Sequence, residues 1–239
     1  REKNSSYCGW NKIINQKNHG LSYSRNAALK IAKGEYITFI DADDYVEKEQ
    51  IKEKLAEDSK ARIILGALSE DIIKTIDMVV VSPGVPTDIP VIEGFKKRGI
   101  PVWGEIELAY RLSKGRVVAI TGTNGKTTTT TLVGKLMKNY FESVFVVGNI
   151  GNPYTEEAKE MVDETVTVAE ISSFQLETIE KFHPQVSAIL NITPDHLNRH
   201  HTMECYIETK EKIALNQTKD DVCVLNFDDT VTRDFADHC

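Results

Sequence analysis

The sequence contains few cysteines and no long apolar segment. Its 239 residues include four cysteines, and no two of them have the spacing of a metal-binding pair. This scarcity argues against a disulfide-based scaffold and indicates a reducing compartment. The lack of an apolar run of about 20 residues argues against a membrane-spanning helix. The first residues include neither an initiator methionine nor the apolar core of a signal peptide, so we expect the chain to begin inside a gene.

A broad excess of basic residues is also absent. The formal net charge is −7, which argues against general nucleic-acid binding because that function needs a basic surface. Nucleotides are not excluded, since a glycine-rich loop binds phosphate groups whatever the net charge of the protein. The content of 41% hydrophobic and 27% charged residues is that of an ordinary globular protein, and the length predicts one or two domains.

Short apolar strands alternate with helical stretches along most of the chain, which predicts an α/β fold with parallel sheets. From residue 114 onward we predict five strands, at 116–120, 143–147, 165–169, 186–190 and 222–226. We predict the two main helices of this part at 126–139 and 203–215. In the earlier part we predict strands at 36–40, 61–65, 77–81 and 101–103, and helices at 24–32, 46–57 and 89–98.

A glycine-rich loop follows the strand at 116–120 and opens the next helix, which is the context of a phosphate-binding loop. Its glycines allow the backbone to aim N–H groups at phosphate oxygens, its lysine can reach the β- and γ-phosphates, and its first threonine after the lysine can bind Mg²⁺. Isoleucine at position 120 departs from the usual spacing and leaves a plain glycine-rich turn as the alternative. The predicted nucleotide contacts are Gly122, Thr123, Asn124, Gly125, Lys126, Thr127 and Thr128.

This loop resembles the phosphate loop of the Mur ligase family. Three further segments carry the resemblance in order along the chain, namely Val147 to Gly151, Glu170 to Glu177 and Asn191 to His200. The Ser-Ser-Phe-Gln-Leu-Glu sequence in the second of these segments is most similar to the branch of the family that adds D-glutamate to UDP-N-acetylmuramoyl-L-alanine. The resemblance covers about residues 51–239.

The resemblance implies ATP-dependent amide formation through an acyl phosphate, with ATP and Mg²⁺ as cofactors. It also implies UDP-N-acetylmuramoyl-L-alanine and D-glutamate as substrates, a monomer in the bacterial cytoplasm, and neither nucleic acid nor membrane as a partner. It assigns catalysis to Lys126, His196 and Lys210, and metal binding to Thr127, Glu170, His196 and, if it is carbamylated, Lys210. It assigns substrate contacts to Ser82, Gly84, Asn149 and Ser172.

Each assigned residue also has an ordinary structural interpretation. Glu170 could be a solvated carboxylate at a strand end, His196 a surface histidine and Lys210 a solvated helix lysine. Lys212 lies about 200° around the same helix and cannot share the role of Lys210. The four substrate positions could belong to plain turns or strand ends. Three residues depart from the family pattern, with Asn198 for Asp, His201 for Gly and Cys205 for Asn.

The first 48 residues resemble a different family, the GT-A glycosyltransferases. Residues 15–29 and 34–44 carry this resemblance, which implies that Asp41 and Asp43 bind a divalent cation and that Arg25 lies near the nucleotide. An acidic turn is the alternative for the two aspartates. Carboxylates at alternate positions of a strand end can converge on one hard cation.

Taken together, the two resemblances predict three segments: a glycosyltransferase-like fragment at 1–48, a partial Rossmann-like UDP-binding domain at 49–113, and an incomplete P-loop ATPase-like central domain of a Mur ligase at 114–239. The resemblance assigns the D-glutamate site to the family's third domain, and we expect that domain to be missing from this sequence. We therefore expect a fusion of two partial genes that lacks ligase activity by itself. The alternatives are a metal-dependent glycosyltransferase that uses a nucleotide-sugar donor and a non-enzymatic chimeric fragment.

Overall fold

The computed structural model describes residues 39–40, 64, 68–150, 152–237 and 239, which form two compact units, 1–103 and 104–239. The division lies one helix before the domain boundary predicted at 113/114. The helices predicted at 24–32 and 46–57 lie outside the described residues, as do Arg25, Asp41 and Asp43, and so does the strand predicted at 61–65 apart from residue 64.

Among its described residues, the first unit contains a small sheet and two helices. Its strands are β1 (Phe39–Ile40), β2 (Val79–Val81) and β3 (Val102–Gly104), in the order β1-β2-β3, and β1 and β2 are parallel. Its helices are α1 (Glu70–Ile73) and α2 (Pro90–Lys97). Proline at the first position suits a helix start, and α2 buries Ile92 and Phe95 on one face. The strands predicted at 77–81 and 101–103 and the helix predicted at 89–98 are therefore confirmed.

The second unit is built on a five-stranded sheet in the order β5-β6-β4-β7-β8, with every neighbouring pair parallel. The strands are β4 (Arg116–Thr121), β5 (Val144–Gly148), β6 (Val166–Glu170), β7 (Val186–Ile189) and β8 (Val222–Leu225). The helices are α3 (Glu105–Leu112), α4 (Lys126–Met137), α5 (Tyr154–Glu157), α6 (Ser173–Leu176), α7 (Leu197–His200), α8 (Met203–Glu211) and α9 (Thr230–Phe235). Short 3-10 turns at Ala158–Glu160 and Lys212–Ala214 extend α5 and α8.

Hydrophobic cores cover both faces of this sheet. Val117 and Ala119 of β4 pack into the larger core with side chains of α3, α5, α6 and α8. Ile120 belongs to the opposite core, which receives partly buried side chains from α4. Successive residues of a strand point to opposite faces, so this division of β4 follows from its geometry. The predicted α/β fold with parallel sheets is confirmed, and all five predicted strands of this unit are present.

The strand order brings three loops to one edge of the sheet. Central strand β4 lies between β6 and β7, and all three strands run in the same direction. The segments that follow them therefore emerge side by side at the carboxyl edge, which is where open α/β sheets bind ligands. In the part of the chain that the structure describes, no helix has the length and apolar character needed to cross a membrane.

Candidate nucleotide-binding site

The glycine-rich loop connects β4 to α4 at the carboxyl edge of the sheet. Gly125 has φ 82° and immediately precedes the 12-residue helix α4. This left-handed conformation favours glycine, because a side chain there would clash with the backbone. The N–H groups of the first helical turn have no partner within the helix and carry the positive end of the helix dipole. The predicted strand–loop–helix arrangement for phosphate binding is present.

Two lysine side chains converge on one carbonyl group of this loop. The Lys126 ammonium donates hydrogen bonds to the carbonyl oxygens of Gly122 at 2.9 Å and Thr123 at 3.0 Å. The Lys210 ammonium, from α8, donates to the same Gly122 oxygen at 2.9 Å. Lys210 is 1% exposed, and burial together with the nearby Lys126 charge lowers its pKa from 10.5 to about 7. Two ammonium groups therefore lie close together at this loop, and a bound anion would reduce the repulsion between their charges.

The segment after β7 holds the loop from the other side. The Asn191 side chain accepts a hydrogen bond from Asn124 N–H at 2.8 Å and donates one to the Asn124 carbonyl at 3.0 Å. The Thr123 hydroxyl donates to the Thr193 carbonyl at 3.1 Å and accepts from Thr193 N–H at 3.0 Å. These paired contacts fix the loop backbone before any ligand binds.

Glu170 ends β6 beside the strand that leads into the loop, in register with Ile120 of β4. It is 2% exposed, so it is not the solvated strand-end carboxylate of the structural alternative. One carboxylate oxygen accepts a hydrogen bond from the Asn149 side chain at 3.1 Å. Among the described residues, the other oxygen has no hydrogen-bond partner. A buried carboxylate oxygen without a partner is costly, and a hard cation such as Mg²⁺ is a ligand that would satisfy it.

Glycine precedes Asn149 because the backbone approaches Glu170 closely at this point. Gly148 has φ 103°, and a Cβ atom there would lie 2.2 Å from the Glu170 carbonyl oxygen. The Asn149 N–H then donates to the same carbonyl at 2.9 Å. The close approach of β5 to β6 therefore places the Asn149 amide against the Glu170 carboxylate.

His196 lies apart from the contacts that surround Glu170. Its side chain is 49% exposed, its Nε2 lies 3.5 Å from an Asp195 carboxylate oxygen, and its ring packs on Phe174 with centroids 4.9 Å apart. Within the described ranges, no group of three His, Cys, Asp or Glu side chains is arranged to hold a metal ion. The metal-ligand assignments for Thr127, Glu170, His196 and Lys210 stay predictions.

The predicted substrate residues occupy structured turns. The Ser172 hydroxyl accepts from Gln175 N–H at 3.3 Å, and the Gln175 side chain accepts from Ser172 N–H at 2.9 Å. Ser172 is therefore the N-cap of α6 in a capping box. In the first unit, Ser82 is buried and its carbonyl accepts from Val85 N–H at 3.0 Å, which closes the turn that contains Gly84. Their substrate contacts remain predictions.

Sequence reasoning missed several residues that build the site. Asn191 was identified only as the start of a family segment, although it is a polar residue directly after the Leu190 end of a predicted strand. Tyr206 and His200 are 1% and 2% exposed and pack against each other with ring centroids 5.1 Å apart. Burial lowers the pKa of His200. His201 has φ 66°, which explains why glycine is common at this position in the family.

Residues 120–239, half of the chain, match the Mur ligase middle domain. The chain belongs to the Mur ligase family. Residues 1–78 match glycosyl transferase family 2. This segment overlaps the longest of the alignments with Mur ligase relatives described next.

Curated relatives agree with this membership. The UDP-N-acetylmuramoylalanine–D-glutamate ligase of Lachnospira eligens is 55% identical over 229 residues, which cover 96% of this chain and 51% of that protein. The ligase of the same name from Lachnoclostridium phytofermentans is 59% identical over 201 residues, which cover 84% of this chain and 44% of that protein. The chain spans about half the length of these Mur ligase relatives.

A solved Mur ligase shares the fold. The UDP-N-acetylmuramate:L-alanyl-gamma-D-glutamyl-meso-diaminopimelate ligase from Neisseria meningitides aligns with a TM-score of 0.52 at 15% identity. The alignment covers 83% of this chain and 66% of that one. At this level of identity the similarity concerns the fold alone.

Proposed function

We propose that residues 104–239 bind Mg-ATP and form the ATP-binding part of a ligase that adds D-glutamate to UDP-N-acetylmuramoyl-L-alanine through an acyl phosphate. The observation that carries this proposal is the convergence of Lys126 and Lys210 on the Gly122 carbonyl. The names of the two relatives support the choice of substrates. Cytoplasmic location and a monomeric state belong to the same proposal.

The first chemical step would bring a substrate carboxylate and the γ-phosphate together, so it requires positive charge and hydrogen-bond donors at the meeting point. In this proposal Lys126 releases the loop carbonyls and contacts the β- and γ-phosphates. The N–H groups at the start of α4 hold the phosphate oxygens, and Thr123, Asn124, Thr127 and Thr128 line the same turn. His196, Ser172 and Asn149 lie on the neighbouring loops and would contact the substrate, and Ser82 and Gly84 would contact its UDP group.

Mg²⁺, when bound, would neutralise charge on the phosphates and on the reacting carboxylate. The Glu170 carboxylate oxygen without a partner and the Thr127 hydroxyl are the proposed ligands, with His196 for a second ion. The low pKa of Lys210 leaves a large fraction of its amine neutral near pH 7, and only a neutral amine reacts with CO₂ to form a carbamate and release a proton. Carbamylation would convert the side chain from a cation into an anionic metal ligand.

The proposal is tested by titrating the protein with a fluorescent ATP analogue in the presence of Mg²⁺. Lys126→Ala should weaken binding at least about tenfold, because a charge-assisted contact to phosphate is lost. Lys135→Ala removes an exposed lysine from the same helix and should leave the affinity unchanged. Equal affinities for the wild-type protein and Lys126→Ala would overturn the assignment of the loop.

A second candidate function rests on the glycosyl transferase family 2 match of residues 1–78. In this alternative, Asp41 and Asp43 bind a divalent cation against the diphosphate of a nucleotide sugar. The test is Mn²⁺-dependent turnover of nucleotide sugars by the wild-type chain and by the double variant Asp41→Asn/Asp43→Asn. Turnover that the double variant lacks would support sugar transfer, and no turnover with any donor would exclude it.

A further inference from the structure

We propose that His200 is a positioning residue that joins the phosphate loop to helix α6 and its capping residues Ser172 and Glu177, so that these two parts of the site keep a fixed spacing. This proposal rests on the nucleotide site proposed above and adds a residue to which no site role has been given. It is carried by the contacts that the imidazole ring makes with two aromatic rings and at one of its nitrogens.

The His200 ring contacts groups from two other helices, α6 and α8. His200 is 2% exposed, and its ring centroid lies 5.6 Å from that of Phe174 and 5.1 Å from that of Tyr206. Its Nε2 lies 2.9 Å from the Ser173 hydroxyl oxygen at the start of α6. A buried ring that contacts two aromatic rings and a hydroxyl group has little freedom to move, and it restricts the movement of its neighbours in turn.

Tyr206 connects His200 to the phosphate loop. The Tyr206 hydroxyl lies 3.2 Å from the Thr123 hydroxyl, and Thr123 is fixed in turn by its two hydrogen bonds to Thr193. The Lys210 ammonium lies 4.8 Å from the centre of the Tyr206 ring. Tyr206 therefore contacts both the loop and the buried lysine beneath it, and His200 sets the position of the Tyr206 ring.

Phe174 connects His200 to His196. Phe174 packs on the His196 ring at 4.9 Å and lies under the Arg199 guanidinium at 5.4 Å. Arg199 donates two hydrogen bonds to the Glu177 carboxylate, at 3.0 and 2.6 Å, which ties α7 to the end of α6. Without His200, Phe174 would lose the support behind its ring, and His196 would lose its packing surface.

His200 positions other groups and does not itself react. Ser173, His200 and Glu177 have the residue types of a serine–histidine–carboxylate triad, but Ser173 is 3% exposed and no substrate can reach its hydroxyl. The His200 Nδ1 lies 3.8 Å from the Glu177 oxygen, which is beyond hydrogen-bonding distance, and Glu177 is engaged by Arg199. The group therefore lacks the geometry and the access that nucleophilic catalysis requires.

The test compares three variants in the full chain with two readouts, namely affinity for a fluorescent ADP analogue and the imidazole NMR resonances of His196. His200→Ala should weaken ADP binding by about fivefold and shift the His196 resonances, because Tyr206 and Phe174 both lose their contact with the His200 ring. His200→Phe keeps a ring that can contact both Phe174 and Tyr206 and should restore affinity to within about twofold of wild type. His201→Gly is the matched control and should change neither readout.

Tyr206→Phe keeps the packed ring and removes only the hydroxyl that contacts Thr123. It should weaken ADP binding by about threefold and leave the His196 resonances in place, which also provides a test if His200→Ala fails to fold. If wild-type protein binds no nucleotide, the proposed function fails, while the His196 resonances still test the positioning role. Unchanged resonances and affinity in folded His200→Ala, or equal changes in His201→Gly, would overturn the inference.

Discussion

Two of the buried glutamates in the second unit, Glu107 and Glu170, have surroundings that differ sharply. Glu107, on α3, is fully buried and accepts hydrogen bonds from the backbone N–H groups of Glu180, Lys181 and Phe182 and from Arg111 Nε. Glu170, at the end of β6, is 2% exposed and has one oxygen without a partner among the described residues. The protein itself satisfies the first carboxylate fully and the second only in part.

The contrast separates a carboxylate that the protein satisfies from the one that we propose as a Mg²⁺ ligand. A buried carboxylate that accepts several N–H groups and faces a guanidinium stabilises the segment that it holds. A buried carboxylate with a free oxygen lowers stability, and it persists because a ligand completes it. Lys210 is the cationic counterpart of Glu170, since its closest partners are the Gly122 carbonyl and the Thr121 hydroxyl and not a carboxylate.

The largest effect is expected at the satisfied carboxylate. Glu107→Ala should lower the free energy of unfolding by about 4 kcal/mol, because three backbone N–H groups and the Arg111 guanidinium lose their partner in a buried place. Urea unfolding followed by circular dichroism measures the change. Glu180→Ala is the control, because Glu180 pairs with the same arginine but is 61% exposed, and it should cost less than about 1 kcal/mol. Similar losses in both variants would contradict the structural role of Glu107.

The next largest effect concerns the pH dependence that Lys210 imposes. Its folded-state pKa, about 7, lies below its ordinary value of 10.5, so between these values the unfolded chain binds a proton that the folded chain does not. Stability should therefore rise with pH in this window, by about 2 kcal/mol from pH 7 to 9. Below pH 7 the full penalty applies.

Lys210→Met should remove this rise and should stabilise the protein most below pH 7. Lys212→Met, which changes a lysine two positions along the chain, should keep the wild-type slope. The measurement is urea unfolding at pH 6, 7, 8 and 9. A wild-type slope that survives in Lys210→Met would show that another group causes the pH dependence.

A smaller effect of opposite sign is expected at the unsatisfied carboxylate. Glu170→Gln removes the buried charge and keeps an acceptor for the Asn149 side chain, so stability should stay within about 1 kcal/mol of wild type or increase. The same variant should lose the Mg²⁺-dependent part of nucleotide affinity, measured by titration with and without Mg²⁺. A destabilisation as large as that of Glu107→Ala would mean that Glu170 is a structural charge.

The sequence was most informative where the signal is local. A strand, two glycines, a lysine and a helix start lie within 116–126, and the structure has each of them in the predicted place. The convergence of Lys210 on Gly122 was not predictable in this way, because it depends on how α8, in which Lys210 lies 88 positions after Gly122, packs beneath the loop. Family resemblance singled out Lys210, but only the fold shows its burial.

Glu107 illustrates what the sequence could not reveal. Its partners are backbone N–H groups, which every residue except proline carries, so the residue types of 180–182 contain no signal. Asn191 was within reach, because it follows β7 much as Glu170 ends β6, and polar residues at adjacent strand ends meet at one sheet edge. The comparison of strand ends would have added it to the predicted site.

The smallest effect is expected from Asn191, which supports the loop without contributing charge. Asn191→Ala removes two hydrogen bonds to the exposed Asn124 backbone, and water can replace them in part. Nucleotide affinity should therefore fall by about threefold, while the free energy of unfolding changes by less than about 1 kcal/mol. Asn226→Ala is the matched control, since it removes an asparagine hydrogen bond to the Leu190 carbonyl without touching the loop. If both variants weaken nucleotide binding equally, the Asn124 contacts do not set the loop geometry, and the support must come from the Thr123–Thr193 pair.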